Sequence, residues 1–212
     1  MGSRFKFFID ELTLKLGKPL PGREAQMRMA PLERKLLKDF IPPGITPRVG
    51  AVMVLLFPKD DIPHFVLIER ATYPGVHSGQ ISFPGGQVDK NDPNMEYTAI
   101  RETKEEIGIN ETSLEVLGGL SDLYIPPSNF HVHPFVGFIP ETPAFIPDPR
   151  EVHEIFTPSV DELFLPGLEK TKTIFNKRLN KEIEAPCFEI QGKTVWGATA
   201  MIISELRELL KN

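Results

Sequence analysis

Apolar residues near the start of the chain recur every three or four positions, the spacing of one helical face. A glycine and a proline follow, Gly17 and Pro19, and both are helix stop signals. The pattern predicts an amphipathic helix with one apolar stripe. The residues of that stripe are Phe5, Phe8, Ile9, Leu12 and Leu16.

A second helix is predicted over residues 31–40, ending before the proline-rich stretch "IPPGITPR". Residues 1–48 are therefore predicted to form an N-terminal helical extension, and residues 49–212 a second domain. An exposed apolar stripe on the first helix would invite association. We expect the stripe to dock on the rest of the chain or on a partner subunit.

Beyond residue 48 the apolar runs become short and rich in β-forming residues. The stretches "VGAVMVLLF" and "HFVLIER" are separated by the turn-forming "PKDDIP" and predict two buried strands. Further strands are predicted in "SLEVLGGL", "HVHPFVGFI", "TIFNKRL" and "PCFEI", and a last helix in "TAMIISELRELL". This order of elements predicts an α+β fold with one mixed sheet.

Composition narrows the functional class. Hydrophobic residues make up 41% of the chain and charged residues 25%, as in ordinary globular proteins. The net charge of -5, without a Lys/Arg cluster, argues against nucleic-acid binding. The single cysteine, Cys187, excludes an intrachain disulfide and favours a reducing compartment. No apolar run predicts a membrane span or a secretory signal, so we expect a cytoplasmic protein.

The stretch "RETKEEIGI" at residues 101–109 belongs to a predicted helix. Asp92 followed by Pro93 predicts its start, with Asp92 as the N-cap, and Gly108 predicts its end. Residues three and four apart share a helical face. The acidic side chains of this helix that share such a face are Glu102, Glu105 and Glu106.

Like charges this close repel one another. A solvated face would normally intersperse lysines at the same spacing, but Lys104 lies on another side of the helix. A hard cation such as Mg²⁺ would relieve the repulsion, because it is bound by carboxylate oxygens, waters and substrate phosphates. A metal site and a solvated acidic face both remain open from spacing alone.

The same region resembles the Nudix box, whose pattern is a Gly, five residues, a Glu, seven residues and then Arg-Glu-apolar-any-Glu-Glu-any-Gly-apolar. Gly86 takes the first position, and "RETKEEIGI" the second half. Asp92 replaces the early Glu, and Thr103 replaces an apolar residue. One extra residue lies between Asp92 and Arg101. In having this insertion the sequence is similar to the coenzyme A pyrophosphatase branch of the Nudix hydrolases.

That branch has an upstream signature which "RATYPGVHSGQISFPGG" resembles. Ala71 stands where the branch has Ser, and Gly75 stands where it has a second Arg. The positions that match are Arg70, His77, Gly79, Gln80, Phe83, Pro84, Gly85 and Gly86.

The resemblance implies that residues 49–212 form a Nudix hydrolase domain. It implies the Nudix fold, a mixed β-sheet sandwiched between helices. It implies hydrolysis, dependent on Mg²⁺ or Mn²⁺, of the diphosphate linkage in a nucleoside diphosphate linked to a moiety X. Coenzyme A or its derivatives would be cleaved to 3',5'-ADP and 4'-phosphopantetheine. Many relatives are dimers, which makes a homodimer one expectation.

The resemblance also assigns residues to roles. The expected metal ligands are Glu102, Glu105, Glu106 and the carbonyl of Gly86. The expected catalytic residues are Glu105, Glu106, Arg101 and Glu151. The expected substrate-binding residues are Arg70, His77, Gly79, Gly85 and Gly86.

Several of these roles have alternatives. Arg101 is either an ion pair that orients the glutamates, which we favour because guanidinium geometry suits carboxylates, or a surface charge. The general base is sought in "DPREVHEIF", where we favour Glu151 over Glu154 because it is predicted to lie in a loop at a strand edge. A solvated glutamate is the competing interpretation. His77, His131 and His133 either contact substrate or serve as structural hydrogen-bonding groups.

Two other functions stay open. One is a Nudix hydrolase of ADP-ribose or of another nucleotide. The other is a non-catalytic nucleotide sensor with the same fold, which would usually lack acidic residues of the box, whereas Glu102, Glu105 and Glu106 are all present.

Overall fold

The computed structural model describes residues 1–36, 44–71, 79–176 and 180–211. Its helices are α1 (Ser3–Leu16), α2 (Gly22–Arg28), α3 (Leu32–Leu36), α4 (Met95–Ile107) and α5 (Gly197–Lys211). Its strands are β1 (Arg48–Lys59), β2 (Ile62–Phe65), β3 (Leu67–Arg70), β4 (Ile81–Ser82), β5 (Gly85–Gln87), β6 (Glu115–Gly119), β7 (Leu123–Ile125), β8 (Phe130–Phe138), β9 (Val152–Phe156), β10 (Glu169–Asn176), β11 (Lys181–Ile190) and β12 (Lys193–Trp196).

The central element is β1, which pairs in parallel with β8 and antiparallel with β2 and β5. Strands β6 and β7 extend the sheet antiparallel to β8. Strand β1 is almost continuously apolar because both faces of the sheet are covered. Met53 and Leu55 pack in the cluster that contains Ile107 of α4, and Val54 packs in the cluster that contains Leu12 of α1. The mixed sheet between helices, and the α+β class, are confirmed.

The prediction of a single sheet is wrong. Two further antiparallel sheets exist, β4-β3-β9 and β10-β11-β12. The predicted strand "HFVLIER" divides at Val66 into β2, which pairs with β1, and β3, which pairs with β9. Both halves are equally buried, so the apolar pattern contains no sign of the division.

The N-terminal extension packs against the core. Phe5 and Leu12 of α1 are fully buried, and Phe8 and Leu16 are partly buried against the same cluster. The predicted docking of the stripe is confirmed on the chain itself. The second predicted helix is present as α3, while residues 37–40 lie outside the described residues. Helix α2 was not predicted, because seven residues of mixed character give little periodic signal.

Glu205 of α5 links the extension to the core through a fully buried carboxylate. It accepts hydrogen bonds from the backbone N–H of Gly22 (3.1 Å), the backbone N–H of Ser121 (3.2 Å) and the Gln26 side chain (2.8 Å). A buried carboxylate is costly unless its oxygens are satisfied. These donors therefore hold α2, α5 and the segment before β7 together.

Among the described helices, none has the length and apolar character needed to cross a membrane.

The packing of α1 gives a direct test of the extension. We expect Leu12→Ala to lower the free energy of unfolding by about 3 kcal/mol, because it leaves a cavity against the core. The matched control is Leu14→Ala on the same helix, where the side chain is 64% exposed and the change should stay within about 0.5 kcal/mol. Urea unfolding of both variants measures the difference. Equal effects would mean that α1 does not contribute to the core.

Candidate functional site

Two glycines bring β5 unusually close to its neighbours. Gly85 has a φ of 151°, and a Cβ there would lie 2.3 Å from the carbonyl oxygen of Ala51. A Cβ on Gly86 would lie 2.4 Å from the carboxyl carbon of Glu102. Any side chain at either position would collide with these groups. Because Gly86 has no side chain, the Glu102 carboxylate fills the space between β5 and α4.

Helix α4 begins later than predicted. Asn94 is the N-cap, and its side chain accepts a hydrogen bond from the backbone N–H of Tyr97 at 2.8 Å. The prediction of Asp92 as N-cap is wrong, because its carboxylate is engaged by Arg101. The predicted end is confirmed, since Gly108 adopts a left-handed conformation with a φ of 71°, which favours glycine.

Arg101 is the hub of an ion-pair network. It binds Asp92 with two parallel hydrogen bonds, from Nε at 2.9 Å and from Nη2 at 2.8 Å. Its Nη1 donates to Glu102 at 2.9 Å and to Glu105 at 3.0 Å. Asp92 is only 2% exposed, and the guanidinium holds its pKa well below the usual range. Arg101 thus forms the predicted ion pair that orients glutamates rather than a surface charge.

Glu106 is the most deeply buried carboxylate of α4, with 1% exposure. One oxygen accepts a hydrogen bond from the backbone N–H of Gly85 at 2.8 Å, and the other from Arg70 at 3.1 Å. Burial raises the pKa of Glu106 to about 7, although both donors favour the ionised form. Arg70, predicted to bind substrate, therefore contacts a predicted metal ligand.

Glu151 joins these side chains from a distant part of the chain. It directly precedes β9, in a turn where its backbone N–H donates to the carbonyl of Asp148 at 3.0 Å. One ligand oxygen from each of Glu102, Glu106 and Glu151 lies within 4.8 Å of the others. Burial is the first cause of a raised pKa at Glu102, and the charges of Glu105 and Glu151 add to it.

This carboxylate cluster fits a hard divalent cation. Its donors are all oxygens, which Mg²⁺ and Mn²⁺ prefer. Two of its three members, Glu102 and Glu106, have pKa values raised by burial and by neighbouring negative charge. A cation placed among them would remove that cost.

The other predicted site residues occupy varied positions. Glu105 is 58% exposed and stands outside the carboxylate cluster within the described residues. Glu154 is engaged by Lys193, which leaves Glu151 as the better placed of the two candidate bases. Gly79 has a φ of 70° in a turn, and His77 lies outside the described residues.

Two contacts of the site were not predicted from the sequence. The pairing of Arg101 with Asp92 spans nine residues, farther than any neighbour on one helical turn. The pairing of Arg70 with Glu106 joins β3 to α4. The pairing of Arg101 with Asp92 had one signal in the sequence, the early acidic position of the box, which Asp92 occupies.

The raised pKa of Glu106 predicts a pH effect on stability in metal-free protein. The folded-state pKa of about 7 lies above the ordinary value of 4.5, so the folded state binds the proton more tightly. The free energy of unfolding should therefore fall as pH rises through this interval. A shift of this size corresponds to about 3 kcal/mol.

Glu106→Gln should abolish that fall. The free energy of unfolding is measured with urea at pH 5 and pH 8, in the presence of a chelator. Between these pH values the parent should lose about 3 kcal/mol that the variant keeps. Glu96→Gln, an exposed position on the same helix, is the control and should follow the parent. Parallel pH profiles for the parent and Glu106→Gln would contradict the assignment.

Sequence comparison identifies relatives over most of the chain. Residues 46–181 match the model of the NUDIX domain. A protein of Pectobacterium atrosepticum named "Uncharacterized Nudix hydrolase NudL" is 35% identical over 181 residues, which cover 80% of this chain and 92% of that protein. A Yersinia pestis protein of the same name is 32% identical and covers 77% of this chain and 80% of that protein.

Solved structures show the same fold. A MutT/nudix family protein from Enterococcus faecalis aligns with a TM-score of 0.52 at 21% identity, over 89% of this chain and 73% of that chain. The NUDIX domain of Shewanella oneidensis NrtR, solved in complex with ADP ribose, aligns with a TM-score of 0.52 at 16% identity, over 84% and 98% of the two chains. With the domain match and these relatives, the chain belongs to the Nudix hydrolase family.

Proposed function

We propose that this Nudix hydrolase cleaves the diphosphate linkage of a nucleoside diphosphate linked to a moiety X, with Mg²⁺ or Mn²⁺ as cofactor. The observation that supports this most directly is the carboxylate cluster of Glu102, Glu106 and Glu151. It lies beside the Gly85–Gly86 pair, where the backbone leaves room for no side chain.

The proposed cation would be held by Glu102 and Glu106, with the Gly86 carbonyl and Glu105 completing the set that the family resemblance implies. Glu105 is the i,i+3 neighbour of Glu102 and shares Arg101 with it. When bound, a divalent cation neutralises charge on the phosphate oxygens and makes water more nucleophilic at neutral pH.

Glu151 is the proposed general base. It is exposed, and its carboxylate reaches Glu102 and Glu106 from the turn before β9. A water molecule between them would lie within one hydrogen bond of Glu151. The water oxygen forms a bond to phosphorus, the bridging P–O bond breaks, and the water proton passes to Glu151.

The two arginines have positioning roles in this scheme. Arg101 fixes Glu102 through the same guanidinium that binds Asp92. Arg70 fixes Glu106 and places a positive charge beside the cluster, where it would favour an anionic diphosphate. The proposal also includes substrate contacts, by Arg70, His77, Gly79, Gly85 and Gly86.

Coenzyme A or its derivatives are the proposed substrates, with 3',5'-ADP and 4'-phosphopantetheine as products. The support is the upstream signature around Arg70 and Gly79 and the extra residue between Asp92 and Arg101. The substitution at Gly75, outside the described residues, removes an arginine that the branch has. ADP-ribose or another nucleotide is the alternative substrate.

A parallel product assay tests the assignment. Coenzyme A, an acyl-coenzyme A and ADP-ribose are incubated with the protein and Mg²⁺ or Mn²⁺, and the products are separated. Release of 3',5'-ADP from the coenzyme A compounds, dependent on the cation, is the expected result. Cleavage of ADP-ribose alone would reassign the substrate, and cleavage of none would favour the nucleotide-sensing alternative.

Replacing the acidic residues should separate chemistry from folding. Glu105→Gln and Glu106→Gln are each expected to lower turnover by about two orders of magnitude, the scale of losing a key electrostatic group. Glu96→Gln on the same helix should retain parental turnover. Turnover of each variant is measured by steady-state kinetics with Mg²⁺. Near-parental turnover in both Glu105→Gln and Glu106→Gln would refute the metal assignment.

Specificity gives a second kinetic test. Coenzyme A has a 3'-phosphate that dephospho-coenzyme A lacks, and fixed cationic donors are the usual means of recognising it. We expect the parent to discriminate weakly between them. Gly75→Arg should sharpen the preference by about tenfold, or roughly 1.4 kcal/mol. The measurement is kcat/KM for both substrates, and strong discrimination by the parent would contradict it.

A further inference from the structure

A second group of side chains of the types that ligate metals lies on β8 and just before β7. It consists of Asp122, His131 and His133, and one ligand atom from each lies within 4.8 Å of the others. Asp122 Oδ1 is 2.9 Å from His133 Nδ1, and Asp122 Oδ2 is 3.7 Å from His131 Nε2. Donors around one tetrahedral or octahedral ion, with bonds of about 2.1 Å, are about 3 to 3.4 Å apart. One observed distance lies just below that range and the other just above it, each to a different oxygen of Asp122.

The backbone ladder produces this arrangement. Strands β7 and β8 are antiparallel with Leu123 opposite Val132, so the next position along places Asp122 opposite His133. His131 and His133 are two residues apart on one strand and therefore share a face. Their ring centroids are 4.7 Å apart. Sheet register, rather than the choice of side-chain rotamers alone, brings the three groups together.

An ordinary structural Asp–His pair explains only part of this geometry. Such a pair needs one imidazole, whereas the Asp122 carboxylate faces two at once. Asp122 is also half-exposed, which leaves a path for an ion from solvent.

We propose that Asp122, His131 and His133 form a second metal site, selective for Zn²⁺ and similar transition metals. Two imidazole donors favour these ions over Mg²⁺, which prefers oxygen ligands. Three protein ligands leave a coordination position for water or an anionic group.

The site is distinct from the carboxylate cluster. Gly86 and His133 flank the same residue of β1, Ala51, from opposite sides. They therefore stand two strand spacings apart, about 10 Å between Cα atoms. Both groups lie on the same face of the sheet, the face on which Gly86 approaches Glu102. Their separation of two strands is too large for them to bind one ion.

Equilibrium dialysis against Zn²⁺, with Mg²⁺ in excess and no substrate, tests this site independently of hydrolysis. The parent is expected to bind one equivalent of Zn²⁺ that His131→Gln and Asp122→Asn each weaken by at least about tenfold, the lower end of what even an outer-shell partner contributes. Circular dichroism checks that both variants fold.

Two matched controls locate the ion. Glu102→Gln alters the carboxylate cluster, and His153→Gln removes an exposed histidine on β9. Both should keep the equivalent of Zn²⁺. Co²⁺ used as a coloured substitute should show visible absorption that His131→Gln loses and Glu102→Gln keeps. Unchanged binding in the ligand variants, or loss of the equivalent in Glu102→Gln, would overturn the proposal.

Discussion

Mutual repulsion among carboxylates is the constraint around which the site is built. Glu102, Glu106 and Glu151 bring oxygens within 4.8 Å of one another, and Glu106 has almost no exposure to water. Charges in such a place are unfavourable unless they are compensated. Arg101 and Arg70 supply part of the compensation, and a divalent cation held among the carboxylates would supply more.

The scaffold that holds these charges is a close packing of helix on strand. Helix α4 lies so near β5 that Gly86 leaves room only for the Glu102 carboxylate, and the backbone of Gly85 donates directly to Glu106. Strand β5 is in turn fixed by its register with β1. The buried core of β1 therefore determines the position of the acidic residues, and the loops contribute mainly Glu151.

Much of the site could be predicted from sequence because its central signals are local. The helical spacing of Glu102 and Glu106 and the left-handed cap at Gly108 depend on residues a few positions apart. The loop position of Glu151 makes it a candidate base, but its meeting with α4 depends on the path of the chain through β9. Asp92 was assigned to the wrong role, because capping is a local propensity and its tertiary contact with Arg101 takes precedence. The approach of Asp122 to His133 required the register of two strands, which the sequence pattern does not contain.

The carboxylate of Glu205 has a consequence for how the chain folds. It joins α2 to α5 across about 180 positions of sequence, and such distant contacts form late because a long loop must close first. During synthesis α2 must therefore wait until Glu205 has left the ribosome before its polar partner is available. Until then the Gln26 side chain, buried in the folded protein, lacks one of its two acceptors.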